Sequence, residues 1–489
     1  MEKKPQNIRG ALSLSFVQTA ITGTLSFASV IIVSHLLTPA EIGVFSIAAG
    51  LVALIHMLRD FGISEFVIQE TALTEGSVRT VFTLNLVIAW LLGSLIFVFS
   101  GAIGGFYGDA GVARVLKVMS IVFLLFPFGT TTQALMQRKF EFGKLTKIRI
   151  LESIARSSLV VILAYAGFSY MSMAWASVAS ISFAVLGCML WGWDYRVKGL
   201  SLSRWKDVLH FGSSRTVSDI ASQLGAQSAN LIVGKMLGMT AAGLYSRGNG
   251  VVNLYNERIV GAVGVVAFPA FAREHRETGQ APQLFVKSLA YLTGISWPFF
   301  AAGIVLAFPI IRTLFGNQWD AAVPLMRWLC GAAIVGTTMY QCNSFLVALG
   351  HVNTVTRVEV TYQSARIGIT VAAAFVSLAA VAAVQILVYL IATTLYYRAM
   401  RRRAGVSVVE CAQAVMPSAL ATLATCAVPI AVVAWPGFVQ EHRVAALALA
   451  MIGGCAGWLV AIRASRHPLL GELRRIIDRL NRRFGAALR

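Results

Sequence analysis

The chain has 489 residues, 57% hydrophobic and 13% charged, with a formal charge of +20 from 41 basic and 21 acidic side chains. A soluble domain carries about a quarter charged residues, so the composition excludes a water-soluble enzyme and places most of the chain in a bilayer. The basic excess leaves two readings, nucleic acid or the cytoplasmic face of a membrane, and the positions of the charges decide between them.

Apolar runs of roughly 20 residues, each able to cross about 30 Å of hydrocarbon, recur along the whole chain. About fourteen are predicted as helices, which we number as spans: 11–34, 42–58, 81–105, 113–136, 146–167, 171–193, 208–236, 241–269, 285–313, 322–349, 358–377, 379–398, 412–434 and 443–463. The fold class is therefore an all-α polytopic membrane protein. Spans 11 and 12 require a tight turn near Ala379. Met1 to Gly10 has charge but no small-residue cleavage site, so span 1 reads as a retained helix and not as a signal peptide. The segments between spans are short and leave no room for a soluble catalytic domain.

With the N-terminus inside, the connections after even-numbered spans carry Arg138, Lys139, Lys144, Lys147 and Arg149, then Arg196, Lys198, Arg204 and Lys206, then Arg273 and Arg276, then Arg398 and Arg401 to Arg403. The opposite connections hold almost no basic residues. This is the positive-inside bias, and it predicts both termini in the cytoplasm. The charge excess is thus a topology signal, and no nucleic-acid partner is expected. From Pro468 the tail reads as an amphipathic helix, with Leu469, Leu473, Ile476, Ile477, Leu480 and Phe484 on one face. Arg474, Arg475, Arg479, Arg482 and Arg483 occupy the rest, a pattern suited to anionic lipid. Cys188, Cys330, Cys342, Cys411, Cys426 and Cys455 sit in or beside apolar spans without metal-like spacing, so neither a disulfide framework nor a metal site is predicted.

An internal repeat organises the chain. Ile32, Val33, Leu37, Gly43, Ser46, Gly50, Val52 and Leu54 recur 200 residues later as Ile232, Val233, Leu237, Gly243, Ser246, Gly250, Val252 and Leu254. The offset encloses an even number of spans, so both copies enter the membrane in the same direction, a parallel repeat of the kind transporters use. The predicted division is 1–195 for a first lobe (spans 1–6), 196–207 for a linker and 208–403 for a second lobe (spans 7–12). Residues 404–466 hold spans 13 and 14, and 467–489 form the basic interfacial helix.

Polar residues inside the spans mark the candidate site. On span 7, Arg215, Asp219, Ser222, Gln223, Gln227 and Asn230 fall in one broad arc. Span 1 shows a milder stripe of Ser15, Gln18, Thr19, Thr22, Ser26 and Ser29. Asp219 lies roughly 16 Å in from the start of its span, where an ionisable group costs ~2.5–3.5 kcal/mol on insertion scales. Both stripes must face protein or water. They read either as helix–helix glue or as the walls of a wet cavity between the lobes. Span 8 carries Arg247, Asn249, Asn253, Asn256, Glu257 and Arg258. Span 2 ends in His56, Arg59 and Asp60, where Arg59 can equally snorkel to the interface. On span 11, Glu359 and Arg366 are embedded. A cavity with several Arg and few acids suits an anionic cargo, since guanidinium stays charged and makes forked bonds to phosphate and carboxylate. Arg59, Arg215, Arg247, Asn249, Asn253, Glu257, Arg258 and Arg366 are the candidate cargo-binding residues. Asp60, Asp219, Glu257 and Glu359 are candidates for charge balance or ion coupling. The sequence lacks Walker, HExxH, GxSxG and CxxC motifs, and no cofactor is expected.

The segments LLTPAEIGVFS (Leu36–Ser46), RDFGISEFVIQE (Arg59–Glu70), LMQRKFEF (Leu135–Phe142), NLIVGKMLGMTAAGLYSR (Asn230–Arg247), FPAFAR (Phe268–Arg273), LFGNQWDAAVPLMRWL (Leu314–Leu329) and ALGH (Ala348–His351) stand in an order that resembles the polysaccharide-exporter branch of the MOP flippase superfamily, the Wzx-like proteins. It is most similar to the colanic-acid and exopolysaccharide exporters. The resemblance implies two six-helix lobes plus two C-terminal helices around a cationic cavity lined by spans 1, 2, 7 and 8. It implies a flippase, not an enzyme, that moves an undecaprenyl-diphosphate-linked oligosaccharide across the bacterial plasma membrane by alternating access. Polysaccharide polymerase and export machinery are the implied protein partners. Where many relatives have an acidic residue, this chain has Asn230, so an ion-coupling role at that position is not expected here. Three alternatives stand beside this reading: a peptidoglycan-precursor flippase, a cation-coupled drug exporter, and a membrane-embedded polysaccharide polymerase or ligase.

Overall fold

A computed structural model describes residues 8–60, 63–70, 73–203, 205–472, 474–475 and 478. The predicted start (1–7), Arg204 and the basic tail beyond 478 lie outside the described residues, as do the side chains of Ser15, Asp60, Arg215 and Asp219. Every regular element among the described residues is helical, and they group into two compact units, Met1–Gly243 and Leu244–Arg489.

In the first unit α1 (Ile8–Leu36) and α2 (Pro39–Asp60) are joined by a capping box. The Thr38 N–H donates to Glu41 Oε2 at 2.7 Å, and the Glu41 N–H donates weakly to Thr38 Oγ1 at 3.4 Å. The Ser169 hydroxyl donates to the other Glu41 oxygen. A short α3 (Ile63–Gln69) leads to α4 (Glu75–Tyr107), started by a Thr74 cap and stopped by Gly108 at φ 70°. α5 (Ala110–Leu125) and α6 (Pro127–Arg138) together occupy span 4, bent by 48° where Pro127 removes a backbone donor. α7 (Phe142–Tyr165) packs on α1 and α8 (Met171–Trp191), and α9 (Trp205–Leu237) packs on α2. The boundary between the units falls inside α10 (Met239–Gly248), and α9 lies in the first unit.

The repeated glycines meet inside this unit. A Cβ on Gly43 would lie 1.8 Å from the Met239 carbonyl oxygen, and one on Gly243 would lie 1.9 Å from the Pro39 carbonyl oxygen. Pro39 and Met239 are themselves 200 residues apart, so the contact is mirrored through the repeat. Only hydrogen at both positions lets the two backbones approach this closely.

The second unit continues with α11 (Gly250–Tyr255), a π-helical turn (Asn256–Val260) and α12 (Gly261–Glu277). Next come α13 (Ala281–Val305), α14 (Ala307–Leu314), α15 (Val323–Gly336), α16 (Cys342–Ala348) and α17 (Val352–Ala374). α18 (Leu378–Ala404), α19 (Val408–Ala434), α20 (Phe438–Glu441) and α21 (Arg443–Ala464) complete it. Its core stacks Phe271, Phe285 and Phe345 with Tyr396 and Met400. The turn between α17 and α18 falls at 375–377, where Ser377 caps α18, just before the predicted Ala379. Beyond α21, buried His467 bonds Ser418 Oγ through Nε2 at 3.0 Å and accepts the Leu469 N–H at Nδ1 at 3.1 Å. Gly294 makes room for that ring, since a Cβ there would sit 2.7 Å from His467 Cε1.

Among the described residues nine helices are long and apolar enough to cross a membrane, ten if the bent pair α5–α6 counts as one. Each of the predicted runs coincides with a helix or a series of short helices. The runs that do not qualify are α7, α9, α17 and the interrupted α10–α12 stretch. The first three carry the embedded charges or polar stripe, and the last is broken into pieces each too short to cross.

Candidate functional site

Two residues of the span 7 stripe, Gln227 and Asn230, face α2. Asn230 Nδ2 donates to Ser46 Oγ at 3.3 Å, and a Cβ on Gly50 would meet Gln227 Oε1 at 3.2 Å. These residues act as helix–helix glue at this end of α9, which is the first of the two predicted readings. Arg215 and Asp219 belong to the helical backbone of α9, but their side chains lie outside the described residues.

At the end of α2, Arg59 is 2% exposed, with its guanidinium carbon 3.3 Å from the centroid of the Phe126 ring. His56 stacks on Phe123 with centroids 4.4 Å apart. Both α2 side chains are seated on the elbow between α5 and α6. Arg59 is buried, and its cation–π seat was invisible in the sequence because the partner ring lies 67 positions away. In the second unit Glu359 is 4% exposed, accepting from the Tyr396 hydroxyl and from Gln363 Nε2 at 3.2 Å. Arg366 bonds Tyr362 and lies near Tyr245 and Tyr389, with a buried Nε that finds no acceptor.

The remaining candidates come together on α10 to α12. Arg247 sits above two rings, 5.7 Å from the Phe315 centroid and 5.6 Å from that of Trp319, and its Nε is buried without an acceptor. Among the described residues no carboxylate pairs with it. One turn on, Asn249 Nδ2 donates to Asn253 Oδ1 at 3.1 Å. Glu257 is exposed and Arg258 half-exposed, both inside the π-helical turn, where the Gly261 N–H reaches back to the Asn256 carbonyl. An extra residue per turn widens the helix and re-aims the side chains after it, a feature concentrated at functional sites. The sequence reading placed these residues on one straight span and missed the π turn. The signal for it was present in Gly248, Gly250, Gly261, Gly264 and Pro269, an unusual density of helix-weakening residues in one span.

Chemically, this run offers a guanidinium on an aromatic shelf, two asparagine amides and an adjacent Glu–Arg pair. Such a set binds an oxyanion and the hydroxyls around it. No group of three His, Cys, Asp or Glu that could hold a metal occurs among the described residues.

Fold and composition define an all-helical, multi-pass membrane protein. The structure resembles lipid II flippase MurJ in an inward closed conformation, with a TM-score of 0.73 at 9% identity, covering 93% of this chain and 99% of that one. It also resembles a multidrug resistance MATE family transporter in an inward-facing conformation, with a TM-score of 0.68 at 15% identity over 80% of this chain and 98% of that one. The chain belongs to the polysaccharide biosynthesis protein family, whose pattern it matches over residues 32–324. It is 25% identical over 358 residues to the lipopolysaccharide biosynthesis protein WzxC of Escherichia coli (72% of each chain). It is 27% identical over 300 residues to the teichuronic acid biosynthesis protein TuaB of Bacillus subtilis (60% of this chain, 62% of that one). The succinoglycan biosynthesis transport protein ExoT of Rhizobium meliloti is 27% identical over 340 residues (66% of each). The matched region thus spans about two thirds of the length of these relatives.

Proposed function

We propose that this protein is a flippase for a lipid-linked oligosaccharide repeat unit, moving an undecaprenyl-diphosphate-borne sugar across the bacterial inner membrane for exopolysaccharide or lipopolysaccharide assembly. The observation that carries the reading is Arg247, a guanidinium within an apolar helix that rests on Phe315 and Trp319 and has no carboxylate partner among the described residues. A cation left in that position is costly unless a mobile anion visits it. Asn249 and Asn253 supply donors and acceptors for sugar hydroxyls, and Glu257 and Arg258 adjust the charge along the path. Transport proceeds by alternating access through a cationic cavity, with residues 1–195 and 208–403 as the moving lobes and both termini in the cytoplasm. Family membership and the names of the relatives support a saccharide cargo, and no covalent chemistry is required.

The test is deletion followed by analysis of lipid intermediates. Loss of the protein should leave the complete repeat unit on its carrier at the cytoplasmic face. Normal display of that unit outside the cell would remove the proposal, and accumulation of a peptidoglycan precursor instead would reassign the cargo.

A further inference from the structure

The first unit carries a second cluster of cations that the transport path does not use. It lies on the turn between α6 and α7 and on the 3-10 turn after α8 (Trp193–Tyr195). Gly192 brings these segments together, because a Cβ there would lie 2.3 Å from Met136 Cε and 2.6 Å from the Cys188 carbonyl oxygen. The Tyr195 ring then stands between two ammonium groups, with Lys139 Nζ at 5.0 Å and Lys144 Nζ at 5.3 Å from its centroid. Arg196 covers Trp193 at 3.9 Å, and Lys147 lies 6.0 Å from Trp191. Two carboxylates accompany these four cations, Glu141 and Asp194. Glu141 is already engaged, accepting from the Tyr195 hydroxyl at 3.2 Å and lying 3.7 Å from Lys144. Burial, then the Glu141 carboxylate, raises the Tyr195 phenol above its ordinary value, so it stays a donor.

The tip of the α6–α7 turn is unusual. Phe140 adopts φ 57°, a left-handed conformation that glycine normally occupies and a bulky residue rarely does, yet its ring is 61% exposed. On the 3-10 turn, Trp193 is 58% exposed. Exposed aromatic rings among cations that outnumber their carboxylates match the headgroup layer of a membrane, where rings sit at the interface and basic side chains meet lipid phosphates.

We propose that Lys139, Lys144, Lys147 and Arg196, with the exposed rings of Phe140 and Trp193, form a binding site for the phosphodiester headgroup of an acidic glycerophospholipid. The site rests on the membrane placement of the chain and not on its cargo, so either proposal can fail without the other.

The test uses the purified full chain and native mass spectrometry with phosphatidylglycerol and phosphatidylcholine as probes. Phosphatidylglycerol should bind about tenfold more tightly, and the K139Q/K144Q/R196Q variant should lose about tenfold or more of that affinity, in line with the pull of a few cations near a charged surface. The charge-preserving K139R/K144R/R196K variant should retain it. Should the neutralised variant misfold, Phe140→Gly relieves the backbone and keeps the fold, and it should still weaken binding several-fold. Equal binding of the two lipids, or unchanged binding in the neutralised and Phe140→Gly variants, overturns the site. Displacement by millimolar inorganic phosphate reassigns it to free phosphate, and about tenfold tighter binding of undecaprenyl phosphate reassigns it to the carrier lipid; both overturn the glycerophospholipid proposal.

Discussion

α2 and the α10–α12 run begin from the same repeated sequence and end as different objects. α2 is one unbroken helix, while its counterpart is interrupted at Asn249 and again by the π turn Asn256–Val260. The copies agree where they pack, since Gly43 and Gly243 occupy mirrored positions against each other's backbone. They part further on. A Cβ at Gly50 would touch Gln227, whereas at Gly250 nothing lies within 4 Å. The first copy ends in Arg59 sealed on Phe126, and the second ends in exposed Glu257 and half-exposed Arg258. The two matching stretches thus differ in surroundings: Gly50 is packed against α9, whereas Gly250 has open space around it.

The sharpest way to break this comparison is to substitute its glycines. Gly43→Ala places a methyl 1.8 Å from a carbonyl oxygen, and overpacking of that degree should cost about 3 kcal/mol or more. The expected result is a large drop in thermal unfolding temperature in detergent, or loss of folded protein. Gly250→Ala should do the reverse, stabilising by roughly 0.5–1 kcal/mol, because a helical glycine with free space around it gains only from the change. Equal destabilisation by both would show that the two copies are packed alike.

The next effects concern the arginines. Arg247→Gln should reduce polymer export about tenfold while protein level in the membrane is unchanged, as a lost charge-assisted contact to an oxyanion requires. Arg59→Gln should instead lower stability by roughly 2 kcal/mol through loss of its desolvated ring contact, and any export defect should track protein level. If Arg59→Gln abolishes export at normal protein level, α2 carries cargo chemistry as well.

The smallest effect lies at His467. Its Nδ1 accepts the Leu469 N–H, so the ring is neutral there, and burial lowers its pKa below its ordinary value. The anchoring it gives is fully present above about pH 6.5, the unfolded value, and is lost as pH falls through the lower folded value. The protection factor of the Leu469 amide, with the pH dependence of intrinsic exchange divided out, should fall on acidification in that window, and a His467→Gln variant should show low protection throughout.

The helices were legible from the sequence because bilayer thickness imposes run length, and the turn at 375–377 fell beside its predicted place. What the sequence did not disclose depended on partners far along the chain or on departures from regular geometry. Arg59 looked like a helix-end cation until Phe126 was found beneath it, and Glu359 was read as embedded without its partner Tyr396, 37 positions away. The α10–α12 run kept a hydrophobic period that reads as a straight helix, and the breaks at Asn249 and in the π turn Asn256–Val260 leave no periodic signal. Asn230 and Gln227 were placed on a polar face correctly, but period alone could not tell glue from cavity wall.

The most direct test of the transport claim is reconstitution of the purified chain in liposomes carrying an undecaprenyl-diphosphate-linked oligosaccharide in one leaflet. A lectin outside reports the arrival of sugar in the other. The wild-type chain should move the sugar across, and Arg247→Gln should slow that movement about tenfold. Liposomes in which the wild-type chain transfers no more sugar than empty bilayer would contradict the account.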